Sequence, residues 1–199
     1  MNSDISLLIL GAGGHAKVVA DAARCSGISN IAFCDEGSGD LLAQCAANAT
    51  HIHVAIGDNE TRERGYERAI SCGLTPLTII HPRACIASSA VIGDGVYVGA
   101  YTVVNPFAAI EDYAILNTAS VIEHDCCVGV AAFIAPGAIM CGECTLGAHS
   151  FLGAHATMIP QVSLGPNVTV GAGATVLDSV EEPCLLAGTP AIKKYQKEL

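Results

Sequence analysis

The residues best equipped for chemistry are His124 and Asp125, in the run Asn117-Thr118-Ala119-Ser120-Val121-Ile122-Glu123-His124-Asp125-Cys126. Imidazole titrates near neutral pH, and an adjacent carboxylate can orient it and raise its basicity, so the pair has the make-up of a general base. The plain alternative is a solvated turn histidine. A second candidate is the stretch Gly11-Ala12-Gly13-Gly14-His15-Ala16, of the form Gly-x-Gly-x-x-Ala. Between a strand and a helix such glycines let backbone approach a pyrophosphate, and the helix N-terminus supplies free N–H donors. Asp35 and Glu36 follow about 20 residues later, where a ribose-binding acid belongs. The plain alternative here is a tight turn that binds nothing.

Most of the thiols need no chemistry. Cys141-x-x-Cys144 has the shape of a metal half-site, but no second pair lies at the usual spacing. His149 and His155 stand six residues apart, yet a zinc site between subunits would need a third histidine. No metal is expected.

These residues sit in segments with different construction rules. Residues 1–83 carry Lys17, Arg24, Arg62, Arg64, Arg68 and Arg83, whereas Ala84 to Ile192 contain no Lys or Arg. Three basic residues, Lys193, Lys194 and Lys197, crowd the end. The division expected is 1–83, 84–180 and a C-terminal tail, 181–199. In the first segment apolar runs alternate with helical stretches. Strands are expected over 6–10, 31–34, 51–56 and 74–80, with helices over 16–24, 41–47 and 60–72, the last capped by Asn59 and ended by Gly73. Such alternation makes a Rossmann-like α/β domain, a parallel sheet with helices on both faces. Four strands suit a mononucleotide or nucleotide-sugar better than a whole dinucleotide.

The second segment is a hexapeptide repeat. Every sixth residue from Ile86 to Val176 is Ile, Val, Leu or Met, and two residues before each stands a small or modest side chain. Positions two apart on a strand point the same way, so both face inward. Three such sides, one hexapeptide each, close a triangular coil. Residues 86–176 make about five coils, a parallel β-helix ~25 Å long at ~4.8 Å per coil. Cys126 and Cys144 take small inward positions, which disfavours Cys126 as a nucleophile. His124, two residues after Ile122, belongs in a turn and points outward. One coil on lies Gly142, leaving room for substrate and an open backbone N–H of the kind an acyl-transfer oxyanion needs.

Composition narrows the rest. The 199 residues carry a formal net charge of −10, which argues against nucleic acid and anionic membrane surfaces as partners. Half the residues are hydrophobic and 14% charged, too apolar for general disorder. Without a basic, apolar leader, the ten cysteines read as reduced thiols in a cytoplasmic protein.

Together, Gly11-Ala12-Gly13-Gly14-His15-Ala16-Lys17-Val18-Val19, Asn117-Thr118, Ile122-Glu123-His124-Asp125-Cys126, Ile134-Ala135-Pro136-Gly137-Ala138 and Ala187-Gly188-Thr189-Pro190-Ala191 resemble the sialic acid O-acetyltransferase family. That family includes the hexapeptide-repeat N-acetyltransferases of the bacillosamine and perosamine pathways. The resemblance covers nearly the whole chain. It implies a left-handed β-helix, a homotrimer, acetyl-CoA held between neighbouring prisms, and a nucleotide-linked amino sugar held by the N-terminal domain. It also implies His124 as catalytic base and Asp125 as its support. Gly13, Gly14, His15, Asp35, Glu36, Gly57 and Asn117 would contact the nucleotide sugar, and Gly142, Ala154 and Ala172 would line acetyl-CoA. Phe133 departs from the family, which often carries a second histidine there, near the acetyl end of the cofactor.

The reaction implied is direct transfer from acetyl-CoA to the amine of a nucleotide-linked 4-amino-4,6-dideoxy sugar. O-acetylation of sialic acid or a related sugar is the alternative, and the His124-Asp125 pair speaks against a non-catalytic binding scaffold. With no cation between Ala84 and Ile192, the coenzyme's phosphates are left to backbone N–H groups and to Lys193 or Lys194.

Overall fold

In a computed structural model, residues 5–35 and 39–194 are described, apart from the side chains of 39–41. The N-terminal unit runs β1 (Leu7–Leu10), α1 (Gly14–Cys25), β2 (Ile31–Cys34), α2 (Gly39–Ala46), β3 (His51–Val54), α3 (Asn59–Ser71) and β4 (Thr75–Pro76). Its four strands form a sheet in the order β2-β1-β3-β4, all pairs parallel. Alternation along β1 assigns its two faces. Leu7 and Ile9 pack with Ala16, Val19, Ala20, Ala22 and Ala23 of α1. Leu8 and Leu10 pack with Leu42 of α2 and Tyr66 and Ala69 of α3.

Two local expectations fail. Asp58, not Asn59, caps α3: its Oδ1 accepts from the Thr61 N–H at 2.9 Å. Asn59 is thereby free to send Nδ2 to the His149 carbonyl at 2.7 Å. The strand expected over 74–80 is split. Thr75–Pro76 closes the N-terminal sheet, while Ile79–Ile80 pairs with Tyr97–Val98 as the first rung of the second architecture. Pro76 has no N–H to continue a ladder, and Thr78 Oγ1 donates to the Gly93 carbonyl at 2.7 Å, turning the chain onto the repeat.

The repeat is a hexapeptide β-helix of about six turns, one more than the 86–176 count, because Ile79–Ile80 and Leu185–Ala187 extend it at either end. Two-residue rungs recur every six residues from Cys85–Ile86 to Thr175–Val176 with no insertion. Each pairs in parallel with the rung one full coil away, as Val121 with Val103 and Ile139. Three flat faces result. Face 1 carries Ile79–Ile80 through Phe133–Ile134 to Thr169–Val170, face 2 Cys85–Ile86 through Val121–Ile122 to Thr175–Val176, and face 3 Val91–Ile92 through Cys127–Val128 to Ser163–Leu164. The inward aliphatic column is buried from Val98 to Val176, as are the small residues two before it from Val96 to Ala174; Ala84, Ile86, Ala90 and Ile92 at the open end are only half-buried.

From Gly95 to Gly173 each corner turns through one residue in the left-handed region, three after the inward aliphatic. The series runs Gly95, Tyr101, Phe107, Tyr113, Ala119, Asp125, Ala131, Gly137, Glu143, His149, His155, Gln161, Asn167, Gly173, with φ between 52° and 68°. The strain this imposes on non-glycine residues is held by the ladder above and below.

The N-terminal unit docks on face 1. Tyr97, Ile115 and Phe133 join the α1 side of the N-terminal core. Buried Arg62 of α3 crosses the boundary: Nε donates to the Tyr113 carbonyl at 2.8 Å, Nη1 to that of Ile56 at 3.0 Å, and Nη2 to that of Ala131 at 2.6 Å and to Asn59 Oδ1 at 2.9 Å. Tyr66 Oη donates to the Gly95 carbonyl at 2.9 Å.

Candidate functional site

His124 and Asp125 occupy a corner between faces 2 and 3. Ile122 is locked inside the prism, so the chain must turn outward at 123–125, and both side chains are 54% exposed. His124 Nδ1 lies 2.8 Å from Asp125 Oδ2. That contact raises the imidazole's pKa above its ordinary value, the hydrogen bond to Asp125 being the largest cause and the Asp125, Glu123 and Glu143 charges adding to it. With Nδ1 as donor to the carboxylate, Nε2 is left as the basic atom. The ring leans over Gly142, one coil on, where a Cβ would stand 2.6 Å from Nε2. The space that the sequence reserves for substrate at Gly142 is thus filled by the imidazole itself.

The residue before a left-handed corner lies outside the ladder; Pro106, Pro136, Pro160 and Pro166 stand there without an N–H. Among the described residues no backbone hydrogen bond takes the N–H of His124, Gly142, Ala154 or Ala172. Gly142 shares the His124 corner, whereas Ala154 and Ala172 stack in the corner between faces 1 and 2. Small side chains with open donors fit the amide-bearing arm of a coenzyme A. Asn117 begins that second corner, its Oδ1 accepting from the Thr118 N–H at 2.8 Å.

Phe133 is on face 1, opposite the His124 corner. It packs on Phe151 with ring centroids 5.2 Å apart and sits under the Arg62 guanidinium at 5.9 Å. Within one chain it does not meet the base.

The glycine loop lies across the docking boundary. Gly11 has φ +119° and could carry no Cβ, which would fall 2.9 Å from the Ala55 carbonyl oxygen. Gly13 is the N-cap of α1 and lacks a side-chain cap, the first turn holds no acid, and nothing lies within 4 Å of a Cβ on Gly13, Gly14 or Gly57. The helix start is therefore open to an anion. Asp35 follows β2 directly and is exposed; Glu36 lies outside the described residues. The His15 ring turns inward, edge-on to Tyr97 at 5.2 Å, and burial and the Arg62 charge pull its pKa down to about 4. Gly57 opens onto a cavity of about 280 Å³ lined by Asp58, Asn59, His149, Phe151 and Thr169. A second, of about 570 Å³, adjoins it at Asn167 and Thr169 and is lined by Lys193 and Lys194, with Lys193 Nζ 3.6 Å from Glu182.

Cys34, Cys126 and Cys144 are buried, whereas Cys25, Cys72, Cys85 and Cys127 are exposed. All ten cysteines are unpaired. Cys126 Sγ donates to the Cys141 carbonyl at 3.1 Å inside the prism, and its contact with Cys144 together with burial pushes the thiol's pKa up. His149 contacts Glu63 at 3.0 Å, and among the described residues no His, Cys, Asp or Glu cluster is placed to hold a metal. No described helix is long and apolar enough to cross a membrane.

Residues that the sequence did not single out are Arg62, His53 and Glu63, which fasten the two units. Arg62 had one signal: a prism without cations leaves its corner carbonyls to a donor from elsewhere.

Comparison with known proteins bears on both units. The family described as PglD N-terminal domain matches residues 6–69, and that described as hexapeptide repeat of succinyl-transferase matches residues 145–178. A GDP-perosamine N-acetyltransferase of Escherichia coli O157:H7 is 28% identical over 102 residues, 49% of this chain and 46% of that protein; the chain thus matches about half the length of this curated relative. The crystal structure of PerB from Caulobacter crescentus, in complex with CoA and GDP-perosamine, superposes with a TM-score of 0.93 at 33% identity, covering 97% of this chain and 99% of that one. The acetyltransferase domain of PglB from Neisseria gonorrhoeae superposes with a TM-score of 0.89 at 33% identity, over 94% of this chain and 98% of that one.

Proposed function

The chain belongs to the hexapeptide-repeat nucleotide-sugar N-acetyltransferases, and from that premise we propose that it transfers the acetyl group of acetyl-CoA to the amine of a nucleotide-linked 4-amino-4,6-dideoxy sugar. The observation that carries this reading is the His124–Asp125 contact of 2.8 Å on an outward corner, with the ring laid over Gly142.

His124 Nε2 takes the proton that the attacking nitrogen sheds, and Asp125 stabilises the imidazolium. The new C–N bond forms at the acetyl carbonyl as the C–S bond breaks, and coenzyme A leaves as its thiol once protonated. The open N–H of Gly142 is the donor suited to the developing oxyanion. Open N–H groups at Ala154 and Ala172 suit the amides of the coenzyme's arm. Gly13, Gly14, Asp35 and Gly57, with the start of α1, take the nucleotide and its pyrophosphate. Asn117, His15 and Glu36 keep the substrate-binding roles that the resemblance implies, and Phe133 its place as an apolar cofactor contact.

The assembly proposed is a homotrimer. In a three-sided prism the corner between faces 2 and 3 is opposite face 1, yet the glycine loop is docked at face 1. A base on one side and a nucleotide site on the other meet only if a neighbouring copy brings its N-terminal unit to the His124 corner. A cytoplasmic location accords with ten unpaired thiols. Release of free thiol from acetyl-CoA, followed against UDP- and GDP-linked amino sugars and sialic acid, tests the reading. Turnover with sialic acid alone would replace N- by O-acetylation, and no turnover with any acceptor would refute both.

A further inference from the structure

Phe107 is the most exposed large apolar side chain among the described residues, at 68%. It holds a left-handed backbone, φ 63°, where a bulky residue is disfavoured. No ring contact holds it within the chain among those residues. The sequence has four Phe and no Trp, so an outward-standing phenyl ring is not background composition.

Its place in the prism is specific. Phe107 stands at the same corner as Asp125, one coil below. Asp125 N–H donates to the Pro106 carbonyl at 3.1 Å, and Glu143 N–H to the His124 carbonyl at 3.0 Å. Pro106-Phe107, His124-Asp125 and Gly142-Glu143 are therefore stacked levels, ~4.8 Å apart. Successive levels of this corner are close enough for side chains to meet, as Gln161 Nε2 meets Glu143 Oε2 at 3.2 Å. The His124 ring leans toward Gly142, and Phe107 flanks the pair from the other side.

We propose that Phe107 is the specificity-determining wall of the acceptor site: it packs the apolar edge of the sugar beside the amine that His124 deprotonates, and so selects a 6-deoxy sugar over its 6-hydroxy counterpart. The proposal rests on the acceptor being a nucleotide-linked amino sugar. In a 4-amino-4,6-dideoxy sugar the methyl-bearing ring carbon adjoins the carbon that carries the amine. A group reaching the amine thus has that methyl within one residue's width. A phenyl ring gives the methyl an apolar partner and strips water from a hydroxyl without replacing its hydrogen bonds, which discriminates against the hydroxylated sugar. Asp125, the polar side chain one level from Phe107, has its Oδ2 committed to His124 Nδ1 at 2.8 Å, and Glu143 stands a further level away.

The test compares two nucleotide-linked 4-amino sugars, one 6-deoxy and one 6-hydroxylated. Wild type, Phe107→Ala and Phe107→Asn are assayed for thiol release. The variants are safe for folding because Ala119, Ala131 and Asn167 hold the same corner position at φ 56°, 52° and 60°. Wild type should favour the deoxy sugar by about 10-fold or more, the usual effect of a small apolar group. Both variants should bring the ratio near one by raising KM for the deoxy sugar, with KM for acetyl-CoA and the assembly mass by light scattering unchanged. An unaltered ratio overturns the proposal. So does a loss of assembly mass, which would assign the ring to a contact between copies. Failure of wild type to release thiol with either sugar overturns the acceptor reading itself, and is told apart by needing no variant.

Discussion

The imidazole of His124 occupies the volume that a side chain at residue 142 would need, with Nε2 2.6 Å and Cε1 2.7 Å from the position of a Cβ there. Gly142 is glycine because of His124. Gly142→Ala should push the ring off its perch while leaving the buried column untouched. The melting temperature should stay near wild type, and kcat should fall by about 100-fold, the scale of a 1 Å misplacement. A variant that melts normally and turns over normally would show that the ring's resting place is immaterial.

His124→Ala removes the base. Turnover should drop by roughly 10²–10⁴-fold with the circular dichroism spectrum unchanged, since the side chain is outside the core. Retention of wild-type kcat would place the base elsewhere.

Asp125 acts through His124. A base must be unprotonated, so activity falls as pH drops through the raised imidazole pKa. Asp125→Asn removes the largest cause of that raise. The acid limb of kcat/KM should move to lower pH while the plateau falls, because a weaker base accepts the proton less well. A limb that stays in place would mean that the limb reports another group.

Acid should loosen the docking of the two units. Burial pulls the His53 pKa down to about 3, and burial with the Arg62 charge pulls that of His15 to about 4. The unfolded chain protonates both near 6.5, so below that pH the unfolded state binds more protons and stability falls until about pH 3. The melting temperature should decline across this window. His53→Phe should flatten the decline, and an unchanged slope in that variant would exclude His53 as its source.

Lys193 and Lys194 line the cavity of about 570 Å³ at the end of face 1, and Lys193 is half-engaged with exposed Glu182. Replacing both by alanine should raise KM for acetyl-CoA a few-fold at low salt and hardly at all at high salt, as exposed pairs of this kind are worth about 1 kcal/mol or less. No change at low salt would leave the phosphates to backbone amides.

The prism was legible because its constraint is local and repeated: residue 122 must be aliphatic for the same reason as residue 140. The outward turn of His124 and its register with Gly142 follow from that arithmetic alone. The boundary at Ile79 was not legible, since Leu74 to Ile80 is one apolar run and only long-range pairing decides that Thr75 joins β3 and Ile79 joins Tyr97. Asp58 and Asn59 are both good caps; the choice fell to Asp58 because Asn59 is claimed by the His149 carbonyl of a distant corner. The left-handed corners at Phe107, Asp125 and His149 carry no composition signal either, as a ladder on both sides imposes a conformation that local propensity would refuse.

The coil has a reading frame of its own. Pairing joins residues a full coil apart, three hexapeptides on, while side-chain inwardness recurs with every hexapeptide, so the two periods answer differently to a change in chain length. One hexapeptide added between Ile122 and Met140 would keep every later aliphatic inside the prism, and the domain would still fold. It would also carry each later corner on to the next edge, so that Gly142 would no longer lie under His124 and the open N–H groups of Ala154 and Ala172 would leave the edge they share with Asn117. Only whole coils keep each corner on its own edge, and even a whole coil added here would set Gly142 two levels from His124 instead of one. Relatives of this chain can therefore differ in length at the ends of the prism far more freely than between its base and its glycine.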